Sequence, residues 1–273
     1  MRNVGHPSTD TTVQDQAGPR ESRGDPVLRT DEHTWPSIVG RETVKLCGMR
    51  RPDDAAHAAR SGADLIGLIF APGRRRVTVK EGRRVAEAAR ATRPDSPPLI
   101  VGVFVDAPAT EVNEVAAAVG LDVAQLQGDE SPETVAAVTI PVIKALRPPP
   151  GTTPGAVLAN IAPFAALSRP PRAYLIDGYD PVAHGGTGHR ADWDLAATIA
   201  GRFPLVLAGG LTPENVAGAI RHVRPLAVDV SGGTETDGTK DPTKITGFIE
   251  AARAAFTAAR ADIHSDMPVG DGS

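Results

Sequence analysis

Thr43-Val44-Lys45-Leu46-Cys47-Gly48-Met49-Arg50-Arg51-Pro52-Asp53-Asp54-Ala55 reads as a strand, a tight turn and the start of a helix. The first five residues form an apolar, strand-like run. Gly48 allows the turn, and Pro52 with the acidic pair Asp53 and Asp54 suits the first turn of a helix. A β/α unit of this kind carries chemistry at its mouth, and Cys47, the only cysteine of the chain, stands there. A free cysteine is also a common small buried hydrophobe, so position alone leaves two readings, core residue or reactive thiol. Side chains alternate along a strand, so Lys45 points the same way as Cys47 about one layer deeper, in a structural or electrostatic role.

The same alternation continues along the chain. Strands are expected at Val44–Cys47, Leu65–Phe70, Leu99–Val105, Val123–Gln127, Val142–Ala145, Ala173–Ile176, Leu205–Ala208 and Ala227–Val230. A helical pattern follows each, near 52–61, 79–91, 109–119, 132–138, 154–167, 193–201, 213–222 and 242–259. The fifth helix follows an unusual loop, Pro148-Pro149-Pro150-Gly151. Eight strand–helix units imply parallel βαβ connections and fit a (β/α)8 TIM barrel over residues 43–260, with a doubly wound open sheet as the alternative. Residues 1–42 are rich in Gly, Pro, Ser, Thr, Asp and Arg without an apolar period, which predicts a disordered extension. That segment has no apolar stretch of the signal-peptide kind. Residues 261–273 read as a flexible tail.

Composition narrows the function. The net charge of −4 makes no bulk electrostatic case for nucleic acid or an anionic membrane as partner. A single cysteine excludes an internal disulfide framework, and with no secretion signal a cytoplasmic setting is expected. No apolar run reaches the roughly 18–20 residues of a membrane span. Nothing in the sequence bears on oligomeric state.

Read strand end by strand end, the chain concentrates chemistry on one rim. After strand 7 comes Ala208-Gly209-Gly210-Leu211-Thr212-Pro213-Glu214-Asn215, and after strand 8 Asp229-Val230-Ser231-Gly232-Gly233. Glycines let backbone N–H groups approach a phosphate, and loops 7 and 8 are the usual phosphate site of a barrel; two tight βα turns would look similar. Strand 6 ends at Asp177, which puts a carboxylate on the rim unless it serves only as a turn residue. The following His184-Gly185-Gly186-Thr187-Gly188-His189 reads as a lid or second anion nest, its histidines as exposed loop residues. Strand 2 leads to Arg74-Arg75-Arg76, either a solvated face or the source of one carboxylate-binding guanidinium. Asp106 is expected to mark a helix entry, and Gln127-Gly128-Asp129-Glu130 also reaches the rim. No metal-ligand spacing and no nucleotide fingerprint is present, so neither metal nor cofactor is expected.

Taken in order, these blocks resemble the N-(5′-phosphoribosyl)anthranilate isomerase family of tryptophan biosynthesis. The resemblance runs through Val44–Ala55, Gly62–Gly67, Val101–Asp106, Gln125–Glu130, Leu175–Asp177, Gly185–Gly188, Leu207–Val216 and Val228–Ser231. It implies a barrel of the ribulose-phosphate-binding type and an acid/base Amadori rearrangement of a phosphorylated aminosugar, with no cofactor. Carried over, the general base is Cys47 and the general acid Asp177. Arg75 holds the anthranilate carboxylate; Gly209, Gly210, Ser231 and Gly232 contact phosphate; and Asp229 lies by the sugar hydroxyls. The chain departs from the family pattern at Gly73-Arg74 (usually Ser-Pro), Gln127 (usually His), His189 (usually Lys) and Gly232 (usually Ser). Three other readings stand beside this one. They are a histidine-pathway isomerase with dual activity, a family member acting on a modified anthranilate in a secondary-metabolite pathway, and a non-catalytic phosphate-ligand binder.

Overall fold

The computed structural model describes residues 42–179 and 190–265, with side chains to residue 261. Residues 1–41 of the expected extension 1–42, the loop of His184 and His189 and the last residues of the tail lie outside them; Glu42 is described, and its N donates to Leu226 O at 3.1 Å. Eight parallel strands close into a barrel: β1 (Thr43–Cys47), β2 (Leu65–Ile69), β3 (Leu99–Phe104), β4 (Val123–Leu126), β5 (Val142–Leu146), β6 (Ala173–Ile176), β7 (Leu205–Leu207) and β8 (Ala227–Val230). Strand β8 pairs with β1 in the register Lys45↔Asp229, and β1 with β2 in the register Cys47↔Gly67. The open-sheet alternative is thereby set aside.

Alternation on each strand separates two cores. Leu65, Val101, Val123, Ile143, Leu175 and Val206 pack together inside the barrel. Val44, Leu46, Ile66, Leu68, Tyr174 and Val228 face outward into the layer shared with the helices. Both faces of every strand are covered, which is why the strands read as near-continuous apolar runs.

The helices are α1 (Pro52–Arg60), α2 (Val79–Thr92), α3 (Ala109–Val119), α4 (Pro132–Ala137), α5 (Pro154–Ala165), α6 (Trp193–Ala200), α7 (Val216–Val223) and α8 (Pro242–Ser265). Local chemistry sets their starts. Thr78 and Glu81 form a reciprocal capping box on α2, while Ser131, Thr153 and Asp192 cap α4, α5 and α6. The fifth helix therefore forms despite the proline run before it.

Three expectations are corrected. Helix α7 begins at Val216, not 213, because Asn215 ties the preceding turn: its Oδ1 accepts from Thr212 N at 2.8 Å and its Nδ2 donates to Gly210 O at 2.8 Å. Helix α8 runs through Ser265, past the expected barrel end at 260 and into the segment read as tail. Its Arg253 bonds to Gly62 O at 2.9 Å and pairs with Asp64, which itself accepts from Val44 N, so the last helix is pinned under the first strand. Asp106 does not cap α3, whose N-cap is Pro108; its Oδ1 accepts from Asp129 N at 2.7 Å and joins loops 3 and 4.

A short hairpin after β8 was not expected. A 3-10 turn (Gly232–Thr234) leads into β9 (Glu235–Thr236), which pairs antiparallel with β10 (Thr239–Lys240). Asp237 and Gly238 between them have φ of 49° and 74°, the two left-handed residues that a tight two-residue hairpin requires.

Candidate active site

Cys47 closes the inward face of β1 and is only 5% exposed. Its room comes from Gly67 on β2: a Cβ there would lie 2.8 Å from Cys47 Sγ. Glycine within a strand often marks such a close approach. One inward position deeper, Lys45 is fully buried and its Nζ donates to Asp229 Oδ2 at 2.8 Å. Lys240, buried on β10, donates to Ser231 O at 2.8 Å and Thr234 Oγ1 at 3.1 Å.

The charges around the thiol oppose one another. Burial pushes Cys47 above its ordinary range; Lys45 and Lys240 pull it back, and Asp229 pushes it up again. Burial alone would lower Lys45, but Asp229 and Cys47 outweigh it and hold the ammonium above its usual value. Burial brings Lys240 down to about 8, against the attraction of Glu235 and Cys47.

Asp177 stands across the lumen, directly after β6. Gly178 N donates to its Oδ1 at 2.8 Å and Gln127 Nε2 to its Oδ2 at 2.9 Å. Gln127 is itself held by Gln125, whose Nε2 donates to Gln127 Oε1 at 2.7 Å. Burial raises the Asp177 carboxyl to about 6, with a further push from Asp229 and opposing pulls from those hydrogen bonds and Lys45. Asp229 is thus a charged neighbour of both Cys47 and Asp177. One group takes up a proton just below neutral pH, and the other is a thiol set beside two ammonium ions.

Loops 7 and 8 build a small cradle beside this pair. Gly209 and Gly210 are both left-handed, at φ of 84° and 62°. A Cβ on Gly209 would fall 2.4 Å from Gly178 N, and one on Gly233 would fall 1.9 Å from Leu211 O, so loops 6, 7 and 8 touch backbone to backbone. Gly232 opens the 3-10 turn at the same place. Two buried oxygens here have no hydrogen-bond partner, Ser231 Oγ and Asp229 Oδ1. Unpartnered buried acceptors are uncommon, and in a cleft they call for a ligand or water.

Of the triple arginine, the middle residue turns inward. Arg75 is 11% exposed and Arg74 51%. A Cβ on Gly48, itself at φ 76°, would meet Arg75 Cδ at 2.6 Å and Ser231 Oγ at 3.0 Å, so the arginine stem lies over the residue after Cys47 and beside the cradle. Arg75 grips Glu235 through Nε–Oε1 at 2.6 Å and Nη2–Oε2 at 3.0 Å.

All eight residues singled out from the sequence therefore gather on one rim. What sequence reasoning missed is the supporting set: Gly67, Glu235, Lys240 and the bond from Gln127 to Asp177. Gly67 within a strand and Asp237-Gly238 as a hairpin turn were the available signals. Among the described residues no group of three or more His, Cys, Asp or Glu side chains could hold a metal ion. No described helix is long and apolar enough to cross a membrane.

Comparison with known proteins points to one family. The pattern of the N-(5′-phosphoribosyl)anthranilate (PRA) isomerase family matches residues 44–251. An N-(5′-phosphoribosyl)anthranilate isomerase of Roseiflexus sp. (strain RS-1) is 45% identical over 216 residues, covering 78% of this chain and 98% of the relative. The crystal structure of phosphoribosyl anthranilate isomerase from Thermotoga maritima superimposes with a TM-score of 0.66 at 34% identity, covering 78% of this chain and 98% of that one. A further crystal structure, of a phosphoribosyl anthranilate isomerase in complex with reduced 1-(o-carboxyphenylamino)-1-deoxyribulose 5-phosphate, superimposes with a TM-score of 0.64 at 33% identity over the same shares.

Proposed function

This chain belongs to the N-(5′-phosphoribosyl)anthranilate isomerase family, and on that premise we propose that it converts N-(5′-phosphoribosyl)anthranilate to 1-(2-carboxyphenylamino)-1-deoxyribulose 5-phosphate through Asp177 as general acid and Cys47 as general base. The observation that carries the residue roles is the placement of these two groups across one lumen, with Asp229 as their common charged neighbour.

The steps follow from the chemistry. Protonated Asp177 donates to the ribose ring oxygen, the C1′–O bond opens, and the nitrogen lone pair forms a protonated Schiff base. The Cys47 thiolate then removes the C2′ proton, and the electron pair neutralises the iminium as an enolamine. Tautomerisation of the enol gives the ketose. One acid and one base on opposite sides of the sugar suffice. Lys45 and Lys240 support the thiolate; burial keeps Asp177 a proton carrier near neutral pH. The unpartnered Asp229 Oδ1 suits a sugar hydroxyl donor, and Ser231 Oγ with the Gly209, Gly210 and Gly232 backbone suits the phosphate. Arg75 takes the anthranilate carboxylate.

The test is direct. Purified protein mixed with phosphoribosylanthranilate should consume it, and the gene should restore growth to a tryptophan auxotroph lacking this step. A folded protein that fails both, yet turns over a ring-substituted analogue, would place the chain in a pathway using a modified anthranilate.

A further inference from the structure

Arg75 is long and flexible, and its stem lies over Gly48 near Ser231 Oγ. Its guanidinium grips Glu235 on β9, whose carboxylate is 7% exposed and takes both the Nε and Nη2 donors. A side-on bidentate pair fixes the plane of a guanidinium. It also fixes the edge that faces away from the partner, here Nη1 with Nη2. Glu235 is held in turn from two other sides. Arg74 Nη2 lies 2.8 Å from Oε2, and Lys240 Nζ lies 3.7 Å from Oε1, across the hairpin register Lys240↔Glu235. Three cations thus surround one carboxylate, so the cluster keeps a positive excess toward an anionic substrate.

We propose that Glu235 is a positioning residue that aims Arg75, and thereby sets the selectivity of the site for substrates whose aryl group carries a carboxylate. The inference rests on the reading of Arg75 as the carboxylate clamp. Glu235 does not touch substrate; it holds the clamp in the bound orientation before substrate arrives, which removes the cost of ordering a rotamer-rich side chain on binding. The hairpin is then a built part of the site. It carries both the group that orients the clamp and, in Lys240, the group that holds the Ser231 carbonyl at the phosphate end.

The experiment compares two substrates on each protein: phosphoribosylanthranilate and its decarboxylated counterpart, phosphoribosylaniline. The readout is the ratio of their kcat/KM values, which cancels any change in folded fraction. The wild-type chain should prefer the carboxylate. Arg75→Ala should abolish the preference. Glu235→Gln should lower it at least about tenfold, the scale of one charge-assisted contact, through KM for the carboxylated substrate with kcat within about threefold. Arg76→Ala, at the exposed third arginine of the run, should leave the ratio unchanged. An unchanged ratio in Glu235→Gln with a collapsed ratio in Arg75→Ala overturns the positioning role and keeps the clamp. An unchanged ratio in Arg75→Ala overturns the clamp reading, and this proposal with it.

Discussion

Of three buried lysines among the described residues, two lie on barrel strands, and they differ in what surrounds their carboxylate partners. Lys144 points outward from β5 into the helix layer, 5.9 Å from the Phe164 ring centroid. Its Nζ reaches Gly128 O at 2.7 Å, Ala145 O at 2.9 Å and Glu130 Oε2 at 3.0 Å, while Glu130 Oε1 accepts from Gly128 N and Asp106 N. Every contact is with the protein itself, and the group braces loops 3, 4 and 5. Lys45 points into the lumen, pairs with Asp229 Oδ2, and leaves Asp229 Oδ1 without a partner beside Cys47. The pair type is the same. Each carboxylate leaves one buried oxygen without a hydrogen bond, but Glu130 Oε2 faces the Lys144 ammonium, whereas Asp229 lies beside the Cys47 thiol; the nucleophile is what separates active site from brace.

The largest expected effect is in the lumen. Cys47→Ser and Asp177→Asn should each lose at least ~10²-fold in kcat, the lower range for a general base or acid. Circular dichroism should remain that of the parent, since both side chains end their strands. Near-normal turnover in Cys47→Ser would break the assignment of the thiol.

The brace should respond in the opposite currency. Lys144→Met leaves Glu130 buried against backbone donors with no counter-charge, a change that costs about 3–5 kcal/mol for an ion pair of this kind. Denaturant melts should show that loss, while kcat of the remaining folded protein stays within about twofold. A large fall in kcat without a stability loss would erase the contrast between the two lysines.

How much of this was legible follows from where each signal resides. The barrel was readable because strands covered on both faces are apolar throughout, and even the three-residue β7 ends in an unmistakable Gly209-Gly210 turn. Cys47 and Asp177 were readable because each terminates such a run. Glu235 was not: its meaning lies in contacts with Arg74 and Arg75, about 160 residues earlier in the chain. Gln127 could be noticed as a departure, but its bond to Asp177 joins β4 to β6, and no local pattern encodes that. Asp106 was misread for the same reason, since its partner Asp129 belongs to the next loop.

The pH profile sharpens the lumen half of the comparison. Asp177 titrates at about 6, and Cys47 above its ordinary range. Near neutral pH the single shared proton therefore rests on Cys47, whereas catalysis uses the form with the proton on Asp177. Both forms hold the same number of protons, so they vary together with pH. Accordingly kcat/KM should rise with pH through about 6, roughly tenfold per unit below it. It should then level, and fall at alkaline pH as Lys240 loses its proton above about 8 and the thiol follows. Steady-state kinetics from pH 5 to 9 reads this. Activity that instead declines as pH rises through 6 would mean a thiol more acidic than Asp177.

The smallest effect concerns stability, and its sign is unusual for a carboxylate. The folded protein binds the Asp177 proton more tightly than the unfolded chain, at about 6 against an ordinary 3.8. Its contribution to stability is full below the unfolded value and is lost as pH rises through about 6. By linkage, ionising this buried group costs about 3 kcal/mol at neutral pH. Asn carries no such charge and keeps an acceptor for Gly178 N, although its amide must now share a site with the Gln127 amide. Asp177→Asn should therefore gain about 1–3 kcal/mol at pH 7.5, a Tm rise of roughly 2–8 °C for a domain of this size, and gain nothing at pH 4. Lys144→Met, by contrast, should be destabilised at pH 7.5, because Glu130 loses its buried counter-charge. If Asp177→Asn is no more stable than the parent at pH 7.5, the acid is not held under electrostatic strain, and the lumen pair would be as settled as the brace.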